Sequence, residues 1–382
     1  MTKQLQMSKQ GQGGHATLLG VLWLLIGSVA IVPAGRSDDW TVPRAGHLLS
    51  FPRDHGSHPD FKIEWWYLTG HLEAGERRFG FQATFFRLGQ KPVDVPTGED
   101  FGTEQLYLAH MGLSDPETGR FLHEERLNRG GWDAGAKVGD LEVFNGNWSL
   151  HRDGEGMQLH GSIRAEASLE LRLEPEKPHV VFGEDSISRK GPEGTAASYY
   201  ITWPRLAAKG TLKLGEELLE VTGSAWMDHE ISSSQLDENQ IGWDWTCIQF
   251  TDGREIMGYV LRTKDGGISP YSKLVWIDQE GTLIHVKASD YEWKHEGGWK
   301  SPATGAIYPI SPLIVTRDPA SGAERRLRLL PLLENQEMTG GTGGVSYWEG
   351  ACEVKDETSG EVVGRAYLEM TGYADDIGQK LR

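Results

Sequence analysis

From residue 64 onward, apolar and polar side chains alternate along short runs separated by Gly, Asp, Asn and Pro. Glu64–His71, Arg78–Arg87, Leu106–Ser114, Leu141–His151, Met157–Leu173, Ser198–Trp203 and Leu218–Glu230 carry the rhythm first. Trp243–Phe250, Glu255–Arg262, Ser272–Asp278, Leu283–Trp293, Leu313–Thr316, Leu327–Leu332, Val345–Val354 and Val363–Gly372 continue it. A period of two sends successive side chains to opposite faces, which is the pattern of a strand. The 49 glycines supply turns at strand-length spacing. No apolar period of 3.6 persists for more than about two turns. The pattern predicts an all-β protein, a sandwich or a barrel. Closed barrels remove the exposed edges that so many strands would create.

A weak internal echo suggests two similar halves. Glu64-Trp65-Trp66 and Trp243-Asp244-Trp245 each place an acid beside a tryptophan pair, and each precedes a hairpin whose second strand ends in arginine (Arg87, Arg262). Pro204-Arg205 and the turn at Lys209-Gly210 place a boundary near 207, giving an N-terminal unit over 36–207 and a C-terminal unit over 208–382. The 382 residues suffice for two cores.

Charge narrows the classes of function. The 55 acidic against 38 basic residues leave a formal charge of -17, and an acidic surface repels phosphate backbones, so nucleic acid is excluded as a partner. The two cysteines, Cys247 and Cys352, cannot build a disulfide framework, and their state is left open between one bridge and two buried thiols. Ahead of the β pattern, Lys3 and Lys9 precede an apolar run from Ala16 to Val32 and then Pro33-Ala34-Gly35. A basic start, an apolar middle and small exit residues describe an export signal over residues 1–35. The expectation is a periplasmic or secreted protein. The run sits at the lower edge of the ~17–25 residues that span a bilayer, so a retained anchor with peripheral membrane association is the alternative.

The stretch from Trp226 to Trp245 holds the densest chemistry: Asp228, Glu230, Asp237, Glu238, Asp244 and His229 lie among Trp226, Trp243 and Trp245. Strand alternation puts Trp226, Asp228 and Glu230 on one face and His229 on the other; Trp243 and Trp245 face together with Asp244 opposite. Carboxyls beside apolar rings lose water and hold their protons at higher pH. Such an acid can protonate an isolated double bond, and indole faces stabilise the cation that forms. Asp228 is the first candidate acid, Glu230 and Asp244 are alternates, and His229 is the candidate proton partner. Water then adds with no cofactor and no metal. The structural alternative is ordinary strands whose acids pair with Arg205 or Arg262. Asp237 and Glu238 read as a solvated loop.

Glu64-Trp65-Trp66-Tyr67 repeats the chemistry earlier, with Glu64 and Trp66 on one face and Trp65 and Tyr67 on the other. Glu64 either orients a ligand or pairs with Arg87. Asp54-His55-Gly56-Ser57-His58-Pro59-Asp60 offers ligand-type side chains without metal-site spacing, and reads as a hydrogen-bonded loop at a barrel mouth. Ser232-Ser233-Ser234 lies near His229, yet no G-x-S-x-G elbow accompanies it.

Several of these segments together resemble the AttH-like family, which includes the carotenoid 1,2-hydratases. They are FPRDHGSHPDFKIEWWYLTGHL (51–72), FGFQATFFR (79–87), SYYITWPRLAAKGTL (198–212), VTGSAWMDHEISSSQL (221–236), GWDWTCIQFTDG (242–253) and the closing YWEGACEV and YLEMTGY. Ile231 departs from the pattern, since relatives carry an aromatic there. The resemblance implies two tandem lipocalin-like antiparallel β-barrels and a small hydrophobic, isoprenoid- or lipid-like ligand. Glu64, Trp66, Tyr67, Trp226, Trp243 and Trp245 are the expected ligand contacts, and Asp228, His229, Glu230 and Asp244 the expected catalytic set. Hydratase or isomerase chemistry, a non-catalytic carrier and a hydrolase are the three readings.

Overall fold

The computed structural model describes residues 40–90, 105–192, 194, 196–341, 345–375 and 377. The Ala16–Val32 run and the rest of the export segment lie outside the described residues.

Strand alternation builds two curled antiparallel sheets, a barrel and a half-barrel. In the first, β1 (Ile63–Ala74), β2 (Arg77–Gly89), β3 (Gln105–Asp115) and β4 (Arg120–Arg129) form one meander. A second meander comprises β5 (Ala134–Ala136), β6 (Glu142–Asn145), β7 (Trp148–Asp153), β8 (Gly156–Ile163) and β9 (Ala167–Pro175). The short β10 (Val180–Phe182) and β11 (Ser188–Arg189) pair with β12 (Ala197–Leu214), and β13 (Glu217–Ser234) follows. These last two strands join the meanders, because β13 returns beside β1 and β12 lies beside β9.

The second sheet starts with β14 (Gln240–Phe250), β15 (Glu255–Thr263), β16 (Lys273–Ile277), β17 (Leu283–Val286) and β18 (Glu292–Lys294). A separate ribbon pairs β19 (Gly298–Lys300) with β20 (Ile307–Pro309). The sheet ends with β21 (Leu313–Arg317), β22 (Glu324–Pro331), β23 (Glu337–Met338), β24 (Tyr347–Asp356) and β25 (Val362–Met370).

The boundary expected at 207/208 falls inside β12, and the chain passes from one sheet to the other at 235–239 instead. Pro204 supplies the reason. Proline lacks the N–H a ladder needs, so it interrupts pairing locally, and the register of β12 on β13 shifts between Trp203 and Leu206. What reads as a domain joint is a bulge within one long strand. Three runs read as single also divide: 141–151 turns at Gly146 (φ 63°), 157–173 at Arg164 (φ 51°), and 283–293 parts into β17 and β18.

Among the described residues, three apolar clusters form successive layers. One, with Trp66, Leu68, Phe79, Phe81, Phe85 and Trp148, fills the inside of the first sheet. Another, with Ile248, Trp276, Tyr308, Trp348 and Leu368, fills the second. The third, with Ile63, Trp65, Tyr67, Tyr200, Trp226, Trp245 and Tyr259, draws on both sheets and lies between them. The facing strands are therefore buried on both faces, and all but the last two residues of β1 are buried. Glycine permits the approach: a Cβ on Gly80 of β2 would come within 2.4 Å of Ala351 Cβ in β24. Cys247 belongs to the middle layer and Cys352 to the second interior, and both are buried free thiols.

Candidate functional site

The middle layer contains a cavity of about 320 Å³. Side chains from β1 to β4, β12 and β13 form one wall, and β14, β15, β24 and β25 form the other. The cavity thus lies between the sheets and not inside a barrel, because large side chains already fill the sheet interiors. Most of the lining is apolar or aromatic, with Trp65 and Trp243 stacked at 6.4 Å and Tyr67 edge-on to Trp245 at 5.2 Å. Its volume falls at the lower end of the ~300–1,000 Å³ range of small-molecule pockets.

Period-two alternation decides which acids reach this space. On β13, Asp228 and Glu230 line the cavity. Asp228 accepts hydrogen bonds from the Tyr200 hydroxyl (2.7 Å), Trp226 Nε1 (2.8 Å) and the Thr202 hydroxyl. All three donors are neutral. Burial pushes its carboxyl up to about 7, with the neighbouring Glu230 adding to the rise and the three hydrogen bonds opposing it. Trp245 Nε1 donates to the Tyr200 hydroxyl at 2.9 Å, so two tryptophans hold this acid in place. Trp226 therefore acts through Asp228, while Tyr67, Trp243 and Trp245 line the cavity themselves.

Glu230 is differently placed: it accepts from Lys190 Nζ and the Ser198 hydroxyl, which makes it half of a buried ion pair. His229 projects to the other face of β13 and stacks on Trp66 at 4.8 Å inside the first sheet. Its Nε2 meets Glu64 Oε1 at 3.0 Å. Glu64 also bonds His58 Nδ1 (2.8 Å), Arg87 Nε (2.9 Å), the His58 backbone N–H (2.9 Å) and the Ser57 hydroxyl (3.1 Å). These donors hold the Glu64 carboxyl well below the usual range despite complete burial. His58 is raised by its bonds to Asp54 and Glu64, against the opposing effect of burial. The predicted hydrogen-bonded loop is this network, and Glu64 and Trp66 belong to it rather than to the cavity.

His58, Glu64 and His229 are also three metal-type donors within 4.8 Å of one another. The set does not suit a cation, because both imidazoles already share one oxygen of Glu64 and the Arg87 guanidinium occupies the other. Asp244 also points away from the cavity. It bonds Arg262 Nε (3.2 Å), His295 Nε2 (2.6 Å) and the Tyr373 hydroxyl (3.1 Å). The two halves thus share a device, a tryptophan-flanked acid turned inward onto an arginine.

Residues outside the predicted set complete the cavity lining, as Glu369, His110 and Tyr347 do, or stand behind it, as Glu349 and Glu125 do. Glu369 on β25 accepts from Trp243 Nε1 at 2.9 Å, and burial pushes its carboxyl up to about 7, aided by Glu230 and Asp228. Glu349, opposite it on β24, accepts from the Tyr67 hydroxyl at 3.1 Å and is raised well above the usual range by burial and by Glu369. His110 joins the Tyr347 hydroxyl (2.6 Å) to Glu125 (3.2 Å). Glu349 and Glu369 carry a recognisable signal, since YWEGACEV and YLEMTGY are alternating strands with an acid among apolar residues. Lys190 carries none, because it lies just beyond the two-residue β11.

No serine of the 232–234 run is hydrogen-bonded to His229. Ser232 and Ser234 donate to backbone carbonyls, and Ser233 donates to Thr41 O and accepts from Lys62 N. The arrangement lacks the base contact a serine nucleophile needs.

Comparison with known proteins agrees with this architecture. A crystal structure of an AttH from Nitrosomonas europaea superposes with a TM-score of 0.76 at 33% identity, covering 86% of this chain and 98% of that one. Kievitone hydratase from Nectria haematococca shares the fold at 12% identity, with a TM-score of 0.63 over 88% of this chain and 97% of its own. The ceramide-binding protein SVF1 of Candida albicans is 24% identical over 182 residues, 44% of this chain and 48% of that relative, so the match spans about half of its length. The family model described as AttH-like matches residues 42–373, and the chain belongs to that family.

Proposed function

We propose that the protein is a cofactor-independent hydratase or isomerase acting on a small hydrophobic molecule of isoprenoid or lipid-like character, with Asp228 as proton donor. One observation carries the reading: Asp228 is a carboxyl in an aromatic cavity, hydrogen-bonded by neutral donors only, and burial pushes it up to about 7. A carboxylate bound to a cation stays ionised and makes a poor acid, whereas a carboxyl held by hydroxyl and indole donors titrates near the working pH. Protonation of a double bond beside Asp228 would generate a cation facing Trp65, Trp243 and Trp245. Water addition, with its surplus proton returned to the Asp228 carboxylate, then gives a hydrated product, and loss of a neighbouring proton to the same carboxylate gives an isomer. The hydratase and ceramide-binding relatives are in keeping with a hydrophobic ligand here.

Incubation with farnesol in deuterium oxide, followed by mass spectrometry, tests the chemistry. The wild-type protein is expected to wash deuterium into the isoprenoid, and Asp228→Asn to abolish this while binding farnesol within a few-fold of wild type. Incorporation that survives Asp228→Asn removes the assignment. Binding without incorporation in the wild type establishes the rival reading, a non-catalytic carrier, for which the aromatic lining suffices. We further infer export: the basic start and the Ala16–Val32 run direct the chain across a membrane, with a mature end near Gly35. Intact-mass measurement of protein from the native host tests this, and a chain retaining Ala16–Val32 would replace the cleaved signal with an anchor.

A further inference from the structure

Gln235 is the first residue of the segment that crosses between the sheets. It is among the residues lining the cavity and is only 1% exposed. Lys190 Nζ donates to its Oε1. An ammonium group has no lone pair to accept with, so this contact fixes the orientation of the amide. Nε2 is then the end left over, and it is buried with no hydrogen-bond partner. A buried unmet donor on a residue bordering an apolar cavity is costly unless an acceptor from the cavity side reaches it.

The surroundings select the kind of acceptor. Lys190 is already matched by Glu230, and lies 5.5–6.0 Å from the ring centres of Trp65, Tyr200 and Tyr259. Its charge therefore calls for no further anion. Asp228 and Glu369 share the cavity without a cation of their own, and a carboxylate ligand would sit against them. A neutral oxygen suits this environment, and a carbonyl oxygen supplies two lone pairs with no hydrogen needing an acceptor of its own.

We propose that Gln235 Nε2 binds a carbonyl oxygen of the hydrophobic ligand, with Lys190 holding the amide in place. The ligand class is accordingly an apolar molecule bearing a ketone, ester or amide, oriented with that group at the Gln235 end of the cavity. The inference rests on the reading of the cavity as a ligand site.

Geranylacetone, an acyclic isoprenoid ketone, and the hydrocarbon of the same skeleton provide the test, with tryptophan fluorescence as the binding signal. Gln235→Met keeps the side chain's bulk and removes the donor. It is expected to weaken geranylacetone by about tenfold, the usual order for one hydrogen bond, and to leave the hydrocarbon within twofold. On the wild-type protein alone, the carbonyl stretch of bound ¹³C-labelled geranylacetone should move to lower wavenumber than in hexane. Equal weakening of both probes by Gln235→Met, or an unshifted carbonyl stretch, overturns the proposal while the cavity remains a ligand site. Tighter binding of homogeranic acid than of the ketone overturns it in favour of an anion site. Failure of both geranylacetone and its hydrocarbon to bind the wild type removes the ligand-site reading and the proposal together.

Discussion

Replacing Asp228 by Asn should change the stability of the protein in a way that depends on pH, and the sign follows from burial. The carboxyl is moved from 3.8 to about 7 in the folded protein. A raised acid holds more protons folded than unfolded between those values, so its contribution is fully present below the unfolded pKa and is lost as pH rises through about 7. At ~1.36 kcal/mol per unit, a shift of that size corresponds to about 4 kcal/mol lost between pH 4 and pH 8.5. Asparagine fills the same space and does not ionise; its Oδ1 can accept from Thr202 and Trp226, while its Nδ2 donates to the Tyr200 hydroxyl, as the protonated carboxyl does. Urea denaturation of both proteins, followed by tryptophan fluorescence, should therefore show Asp228→Asn gaining on wild type by a few kcal/mol between those pH values. The sensitivity arises because Tyr200, Thr202 and Trp226 all donate to the carboxyl and none is a cation. A stability difference that stays constant across the range would refute the claim that this acid is desolvated, and with it the basis for its role as a proton donor.

Deuterium incorporation into farnesol should be level below pH 7 and fall about tenfold per unit above it, since the protonated form of Asp228 is the donor; a rise with pH contradicts the assignment. Glu64→Gln should destabilise the protein by about 3–5 kcal/mol in urea, because Arg87 is left buried without its partner; the affinity for geranylacetone should remain within twofold, as Glu64 faces the first interior. Asp244→Asn should likewise lower stability and spare binding, having released Arg262 and His295. Leu108→Trp fills the cavity and should weaken geranylacetone by at least about tenfold, with an overpacking cost of about 1–3 kcal/mol visible in the same denaturation curves. Gly80→Val drives a side chain into Ala351, and is expected to lower the melting temperature and weaken ligand binding together.

Much of the fold was legible from the chain because strand alternation is local. The run expected over 78–87 is the core of β2, and that over 106–114 the core of β3. β4 escaped notice for an equally local reason: FLHEERLNR is polar along most of its length, and every residue between its exposed ends is half-buried, so neither face stands out. The site was legible in part. Alternation correctly separates Asp228 and Glu230 from His229, yet it does not say which of the two faces meets a cavity when both are buried. Glu64 and Asp244 resemble Asp228 in their aromatic surroundings; Arg87 and Arg262, brought alongside by neighbouring strands, make them members of ion pairs. The Pro204 bulge shows the converse, where a residue that marks a boundary in sequence is absorbed within a strand.

The sequence by itself determined the all-β class, the family and the concentration of acids among tryptophans, because period-two patterning, turn glycines and contiguous motifs need no distant partner to be read. Tertiary structure alone decided where the space lies and which groups enter it. Lys190, the segment carrying Asp228 and Gln235, and Glu369 lie well apart in the chain, and only the stacking of one sheet on the other encloses them in a single cavity. Whether a carboxyl is an acid or half of an ion pair depends on desolvation and on the charge beside it. Both are set by neighbours that folding supplies, which is why Asp228 and Glu64 look alike in the sequence and differ in the protein.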